Sequence, residues 1–252
     1  MFKKYLKLIV TIILLIIIGI SGCILYKELS AYKQESDVLN YVDNLIEQSI
    51  DDDSEEFNYN SWITLKESNS DFVGYLKFDS GIIKQPIVKG PDNDYYLWRN
   101  FDKSWNGTSG TPFMNAYSNI DNMNITIYGH NNAWNHDNLF SRLNDMATNQ
   151  EYYEENSTFK FYVEDSIREY AICYIYYITE EEYQNYDFQL TNISDNIFDE
   201  FISFPRRKNL IKSIHGDIKS GNKWVTLQTC KRYNDDVKVI VLAKEVLRYD
   251  YD

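Results

Sequence analysis

The sequence predicts a mainly β domain that follows an N-terminal helical region. From Trp62 onwards, short runs rich in β-branched and aromatic residues alternate with turn signals, which is the pattern of an all-β or β-rich barrel. Two of these runs, 224–230 and 238–243, flank a short charged segment and are predicted to be neighbouring strands. Ahead of them, residues 28–50 carry apolar side chains at close to helical spacing.

The first predicted element is a membrane helix. Lysines at positions 3, 4 and 7 precede an apolar run from Leu8 to Leu25, which is long enough to span a bilayer when it is extended back to Tyr5. Its basic flank should stay in the cytoplasm, so the rest of the chain is expected outside, at the cell membrane. Two alternatives stay open: a cleaved secretory signal, and a lipoprotein signal in which Cys23 of Ile20-Ser21-Gly22-Cys23 is lipidated.

The chain is expected to divide into three parts. Residues 1–27 form the anchor or signal, residues 28–58 a helical segment and linker, and residues 59–252 a single exported domain. The acidic run 51–56 lacks the spacing of an EF-hand loop, so we interpret it as a solvated helix end or linker.

Within the exported domain, strands and helices are predicted in the following order. The predicted strands are 72–78, 82–88, 109–113, 124–130, 158–164, 169–179, 224–230 and 238–243. Helical segments are predicted at 92–97, capped by Asp92, at 137–147, and at 192–212, where Pro205 can interrupt the helix. The last helix is inserted between strands, so it should pack on the barrel.

Charge and residue spacing exclude two classes of function. Lys and Arg number 25 against 38 Asp and Glu, and the formal net charge of -13 should repel phosphate backbones, so we set nucleic-acid binding aside. The His and Cys residues are scattered rather than set at ligand spacing, so neither a metal site nor a cofactor is predicted.

Cys230 is the candidate nucleophile. It lies where a predicted strand gives way to Lys231 and Arg232, and nearby cations favour the thiolate form that attacks carbonyls. The other cysteines, Cys23 and Cys173, lie in the membrane segment and in a predicted buried strand, so no disulfide framework is expected. Position alone leaves a structural cysteine as an equal alternative.

His130 is the candidate partner of that thiol. It ends a predicted strand as Cys230 does, and Gly129 beside it permits a close backbone approach. If both strands belong to one sheet, the imidazole and the thiol can face each other at its rim, as cysteine-histidine acyl transfer requires. His136 and His215 are interpreted as ordinary loop histidines.

The segment Thr226-Leu227-Gln228-Thr229-Cys230 resembles the TLxTC signature of sortases, the membrane-anchored cysteine transpeptidases of Gram-positive bacteria. The order of the motifs resembles class B sortases: NSDFVGY at 69–75, DNDYYL at 92–97, YGHN at 128–131, and then the cysteine after a long helix-containing insertion. The resemblance covers about residues 60–246, and the combination is far more specific than any single motif.

The resemblance implies a sortase-like closed β-barrel of about eight strands, with N-terminal helices and an inserted helix before the cysteine strand. It also implies an extracellular enzyme that recognises a C-terminal sorting motif of the NPQTN or NPxTG type in secreted proteins. Such an enzyme cleaves after the threonine through a thioester and passes the acyl group to an amine of the cell wall precursor or of a pilin.

The same resemblance assigns residues to roles. Cys230 is the nucleophile, and His130 is the acid that protonates the leaving amine and the base for the incoming one. Leu227 and Thr229 are expected to bind substrate. Independently of the resemblance, the loop at 179–190 precedes the inserted helix and is expected to line part of the groove.

One position departs from the family pattern. Sortases carry an arginine at the start of the strand after the cysteine, and the matching residue here is Lys238, with Arg232 as the second candidate. Lysine keeps the charge but loses the planar fork that can bind two oxygens, and loss of one oxyanion donor can lower a rate by about a hundredfold. Two alternatives therefore stand beside a transpeptidase: a protein that binds sorting signals with little turnover, and a hydrolysing cysteine peptidase.

Overall fold

The central feature of the computed structural model, which describes residues 2–50, 57–107, 109–131 and 139–251, is a closed barrel of eight strands. The strands are β1 Phe72–Phe78, β2 Lys84–Val88, β3 Phe113–Met114, β4 Asn124–Tyr128, β5 Thr158–Tyr162, β6 Ile167–Thr179, β7 Trp224–Lys231 and β8 Asn234–Tyr249. Around the barrel they follow the order β1-β2-β3-β4-β7-β8-β6-β5. The predicted barrel is confirmed.

Side-chain alternation along the strands produces two apolar layers. Ile127, Leu227 and Val241 are fully buried inside the barrel, because every second side chain of a strand faces the same side. The intervening residues Ile240 and Leu242 belong to a second cluster on the outer face. This second layer holds the inserted helix against the barrel, as the sequence predicts.

Six α-helices surround the barrel in the described part of the chain. They are α1 Phe2–Ser49, α2 Tyr59–Ser68, α3 Leu143–Thr148, α4 Gln150–Glu155, α5 Glu180–Tyr183 and α6 Asp195–Lys208, and a 3₁₀ helix spans Tyr95–Trp98. The sequence predicts a helical turn near the 3₁₀ helix and helices near α3 and α6. It does not predict helices α2, α4 and α5, and β8 is much longer than the predicted strand.

Helix α1 runs without a break from the apolar segment into the predicted helical segment that begins at residue 28. Its apolar side chains between residues 5 and 26 are exposed, whereas Val42 and Ile46 pack against the domain in a cluster that also contains Trp62 and Phe72. Among the described residues, α1 alone is long and apolar enough to cross a membrane. The acidic run 51–56 lies outside the described residues.

Pro205 lies inside α6 without ending the helix. A proline lacks the amide hydrogen that would bond the carbonyl four residues earlier, here that of Phe201. The hydroxyl of Tyr186 donates to this carbonyl oxygen at 2.8 Å. The hydrogen bond that Pro205 cannot make is thus supplied by the loop before α6.

Candidate active site

His130 and Cys230 lie at the same end of two adjacent strands. Strands β4 and β7 run parallel with Tyr128 opposite Gln228, and the amide of Gly129 donates to the Gln228 carbonyl at 3.0 Å. Because parallel neighbours advance together, the residues two positions further on meet at the same rim. The predicted juxtaposition of the two residues in one sheet is therefore present.

Lys238 lies opposite Cys230 on β8, the neighbour of β7 that faces away from β4. Strands β7 and β8 are antiparallel with Cys230 paired to Lys238, and the Lys238 ammonium lies 3.5 Å from the Cys230 sulfur. The same ammonium donates to the backbone carbonyl of Asp235 in the turn. A half-buried thiol thus has an imidazole on one neighbouring strand and a cation on the other.

These residues open onto a cleft of about 640 Å³. The loop at 179–190, which precedes the inserted helix, contributes Tyr183 and Gln189 to its wall. The cleft is lined by Asn93, Leu97, Trp98, Thr111, Phe113, Tyr128, Gly129, His130, Asn131, Tyr183, Gln189, Gln228, Thr229, Cys230, Asp235 and Lys238. Among the described residues this lining is mainly aromatic and amide, and Asp235 and Lys238 are its acidic and basic members besides His130.

The backbone of the 3₁₀ helix fixes the imidazole of His130. Its Nε2 lies 2.7 Å from the Leu97 carbonyl oxygen, and because a carbonyl only accepts, Nε2 carries the proton. The ring also lies 5.6 Å from that of Trp98. Burial is the main cause that lowers the pKa of His130 below its ordinary value, with a smaller contribution from the Lys238 charge, whereas the Leu97 bond and Asp235 oppose the shift.

Arg232, the second candidate for the cation, is directed elsewhere. Its guanidinium forms an ion pair with Asp145 of α3 at 2.8 Å and donates to the Ser141 carbonyl at 3.3 Å. It is not among the residues that line the cleft. The structure thus brings Lys238, and not Arg232, to the sulfur of Cys230.

The two predicted substrate-binding residues need correction. Leu227 is fully buried in the barrel interior and does not line the cleft, so its side chain cannot reach a bound peptide. Thr229 borders the cleft, but alternation along β7 puts its side chain on the core-facing side with Leu227, and only 2% of it is exposed. Contact between Thr229 and a peptide would therefore come from its backbone.

Gln228 is a cleft residue that is not among the predicted site residues. It shares the outer face of β7 with Cys230, and its buried Oε1 atom has no hydrogen-bond partner among the described residues. Alternation could have identified it, because residues two apart on a strand face the same side.

A hydrogen-bonded chain of side chains, also absent from the sequence predictions, joins the cleft walls. Asn115 donates to the Tyr128 hydroxyl at 2.7 Å and to Gln189 at 3.4 Å, and Gln189 donates to the Tyr183 hydroxyl at 2.8 Å. These contacts link β3 and β4 to the loop before α6, and no local pattern in the sequence predicts them.

His215 does not contribute to the described cleft. The imidazole of His215 bonds the Ser157 hydroxyl at 2.8 Å, outside the cleft. His136 lies outside the described residues. Within the ranges that the structure describes, no group of three or more His, Cys, Asp or Glu side chains is arranged to hold a metal ion.

A thiol, an imidazole and a cation around one cleft define the class of cysteine enzymes that act on acyl groups. Residues 80–246 match the family described as the sortase domain, which is more than half of the chain. The chain therefore belongs to the sortase family, and its relatives place it with class B.

Three relatives describe that similarity. Sortase B of Staphylococcus aureus is 25% identical over 253 aligned positions, which cover 98% of each chain. The crystal structure of Clostridium perfringens sortase B is 27% identical with a TM-score of 0.67, covering 74% of this chain and 100% of that one. Sortase B of Bacillus anthracis is 24% identical with a TM-score of 0.72, covering 86% and 99%.

The family settles the general activity. Sortases are cysteine transpeptidases of the cell envelope that act on sorting signals, and this chain is a sortase B-like cysteine enzyme. The exposed apolar helix α1 fits a membrane anchor for such an enzyme.

Proposed function

We propose that this protein cleaves an NPQTN-like or NPxTG-like sorting motif after its threonine and transfers the acyl group to an amine of the cell wall or of a pilin. The observation that carries the proposal is the position of the Cys230 sulfur. It lies 3.5 Å from the Lys238 ammonium and beside the strand that ends at His130, in a cleft of about 640 Å³.

The first half-reaction forms the thioester. Nδ1 of His130 takes the proton of the Cys230 thiol, and the resulting thiolate attacks the threonine carbonyl carbon. The ammonium of Lys238 stabilises the negative charge on the carbonyl oxygen. When the C–N bond breaks, His130 donates its proton to the departing amine. Because Nε2 is bonded to the Leu97 carbonyl, Nδ1 is the nitrogen that gives and takes this proton.

The second half-reaction releases the product. The acceptor amine attacks the thioester carbon, loses a proton to Nδ1 of His130, and displaces the Cys230 thiolate. Water in place of the amine would give hydrolysis. Nδ1 of His130 then returns its proton to the thiolate, so the enzyme ends in its starting state and no cofactor is needed.

The cleft lining supports an uncharged polar motif. Asn, Gln, Thr and Pro offer amides, a hydroxyl and a ring, which suit a surface of amide and aromatic side chains. Oε1 of Gln228 and Oδ1 of Asn131 are buried acceptors without a partner in the described part of the chain, and a peptide N–H or side-chain amide can satisfy them. Cell-wall precursor and pilin lysine remain the two candidate sources of the amine.

The chain would act at the outer surface of the membrane. We propose residues 1–27 as anchor, 28–58 as helical stalk and linker, and 59–252 as the exported catalytic domain. The basic flank at positions 3, 4 and 7 would keep the N-terminus inside. A cleaved signal or lipidation at Cys23 would leave the same domain outside, and mass measurement of the membrane-fraction protein separates the three.

Incubation with a panel of sorting-motif peptides and an amine tests the proposal. The full chain in detergent micelles is mixed with peptide and triglycine, and the products are analysed by mass spectrometry. Ligated peptide supports transfer, the truncated acid alone supports a hydrolase, and unchanged peptide with measurable affinity supports a binding protein. Cys230→Ala is the matched control, because it should abolish both products while binding persists.

A further inference from the structure

A short segment, residues 139–145, contacts the backbones of both proposed catalytic residues. The amide of Phe140 donates to the His130 carbonyl at 3.1 Å. The side-chain amide of Asn144 donates to the Cys230 carbonyl at 3.2 Å. The segment precedes and begins α3, and it lies about ninety residues before the cysteine in the chain.

The side chain of Asn144 forms hydrogen bonds with the backbone on both sides of Lys231, the residue after the nucleophile. Besides its bond to the Cys230 carbonyl, its Oδ1 accepts from the Arg232 amide at 2.8 Å. One side chain therefore bridges the carbonyl of residue 230 and the amide two residues later. Asn144 is itself 5% exposed, so water cannot easily replace these bonds.

The strand needs this support at that point. The β7–β8 pairing shifts register between Cys230 and Lys231, as at a β-bulge, so ladder hydrogen bonds do not fix the local backbone alone. The ion pair of Arg232 with Asp145 adds a second link from the turn to α3. The hydrogen bonds of Asn144 and the ion pair of Asp145 therefore attach the bulge to α3.

The same segment fixes His130 by contact as well as by hydrogen bond. A Cβ on Gly129 would lie 2.6 Å from the ring of Phe140, so this ring packs directly on the backbone before the histidine. Phe140 is fully buried. The 139–145 segment thus contacts the backbone next to the imidazole and the backbone next to the thiol.

We propose that Asn144 is a positioning residue for the transpeptidase reaction, acting on Cys230 within a 139–145 segment that sets the spacing between thiol and imidazole. The inference rests on the proposed roles of Cys230 and His130. It also gives Arg232 a function: the guanidinium ties the nucleophile's turn to α3 rather than binding the oxyanion.

The test compares two substitutions at Asn144 in the full chain in micelles. Asn144→Ala removes both hydrogen bonds, whereas Asn144→Asp keeps the acceptor for the Arg232 amide but puts a carboxylate oxygen against the Cys230 carbonyl oxygen. Asn156→Ala is the control, since Asn156 is also buried and its side chain donates to Tyr152, away from the cleft. Measured quantities are kcat, KM, thermal midpoint and the alkylation rate of Cys230 by iodoacetamide.

For Asn144→Ala we expect kcat to fall about tenfold to a hundredfold with KM within about twofold, because small displacements of reacting groups are costly. Asn144→Asp should lower kcat at least as much as Asn144→Ala, because its carboxylate oxygen repels the Cys230 carbonyl oxygen. The Cys230 alkylation rate should change at least about threefold in Asn144→Ala, since the sulfur moves relative to the Lys238 ammonium. Asn156→Ala should change only the thermal midpoint.

The proposal is overturned if Asn144→Ala and Asn156→Ala lower the thermal midpoint alike and leave kcat and alkylation at wild-type values. Failure of the proposed function is a separate result. In that case the wild-type chain gives neither ligated nor hydrolysed peptide, while alkylation of Cys230 still reports whether Asn144 positions the sulfur.

Discussion

Replacement of Lys238 by methionine removes the cation of the site while nearly keeping its length. The ammonium lies 3.5 Å from the Cys230 sulfur. At an effective dielectric constant of about 20, a full charge at that distance is worth about 5 kcal/mol. Lys238 is only half-buried, so solvent screening reduces this figure to about 2–3 kcal/mol. A loss of about 30- to 150-fold in kcat/KM should follow.

Peptide ligation by the full chain measures this effect. Lys238→Arg keeps the charge and adds a planar fork, so we expect its turnover to equal or exceed that of the wild type. Lys219→Ala serves as a control, because it removes an equal charge from an exposed site outside the cleft. Wild-type turnover in Lys238→Met, together with loss of turnover in Arg232→Ala alone, would refute the assignment of the cation to Lys238.

Three further predictions concern His130, Gly129 and Gln228. Burial lowers the pKa of His130 and of His215 below 6.5, so the unfolded chain binds more protons near that pH and stability should decrease as the pH falls through 6.5. His130→Gln should remove part of this loss, measured as thermal midpoints at pH 7.5 and pH about 5.5. Gly129→Ala forces a contact with Phe140 and should cost about 1–3 kcal/mol in a denaturant titration, with reduced turnover. Gln228→Leu should raise the peptide KM about tenfold without loss of thermal stability, because its Oε1 has no partner among the described residues.

Controls separate these effects from general instability. His215→Gln should remove only its own share of the pH dependence, and a flat profile in both single variants would contradict the burial argument. Gly216→Ala should be silent, since no atom of the described residues beyond its own chain neighbours lies within 4 Å of the place that a Cβ would take. An unchanged KM in Gln228→Leu would mean that substrate does not use this amide.

The strands that carry the site could be predicted because their signals are local. The β-branched runs at 124–130 and 224–230 each end on a polar residue, and the structure has strands β4 Asn124–Tyr128 and β7 Trp224–Lys231 there. Alternation could have gone further. Once Cys230 is taken to face the cleft, Leu227 and Thr229 must face the core, so assigning their side chains to substrate conflicts with the period of the strand.

Helix α2 shows why other elements escape prediction. Its ten residues, YNSWITLKES, include β-branched and aromatic residues and have no clear apolar period. The helix begins because Asn58 and Ser61 exchange side-chain and backbone hydrogen bonds, and it is held because Trp62 and Leu65 are buried against the barrel and α1. Tertiary packing, rather than propensity, decides the structure here.

The choice between Lys238 and Arg232 depends on contacts that sequence spacing does not reveal. Arg232 is two residues from the nucleophile, but its charge is satisfied by Asp145, which lies 87 residues earlier in the chain. Proximity to Cys230 in the sequence therefore does not identify the cation of the site. The family pattern points to Lys238 by its place at the start of a strand, and the strand register puts Lys238 opposite Cys230.

Strand register explains why these three side chains meet and why the arrangement tolerates little change. The parallel pair of Tyr128 with Gln228 sets the rows of His130 and Cys230, and the antiparallel pair of Cys230 with Lys238 sets the third row. A shift of one residue in either pairing would turn a reacting side chain into the core. A single-residue insertion between Arg232 and Val237 would be absorbed by the turn if the pairing held, and activity would survive. If the turn instead kept its length and β8 moved in register, Val237 would replace Lys238 beside the sulfur and the cation would be lost.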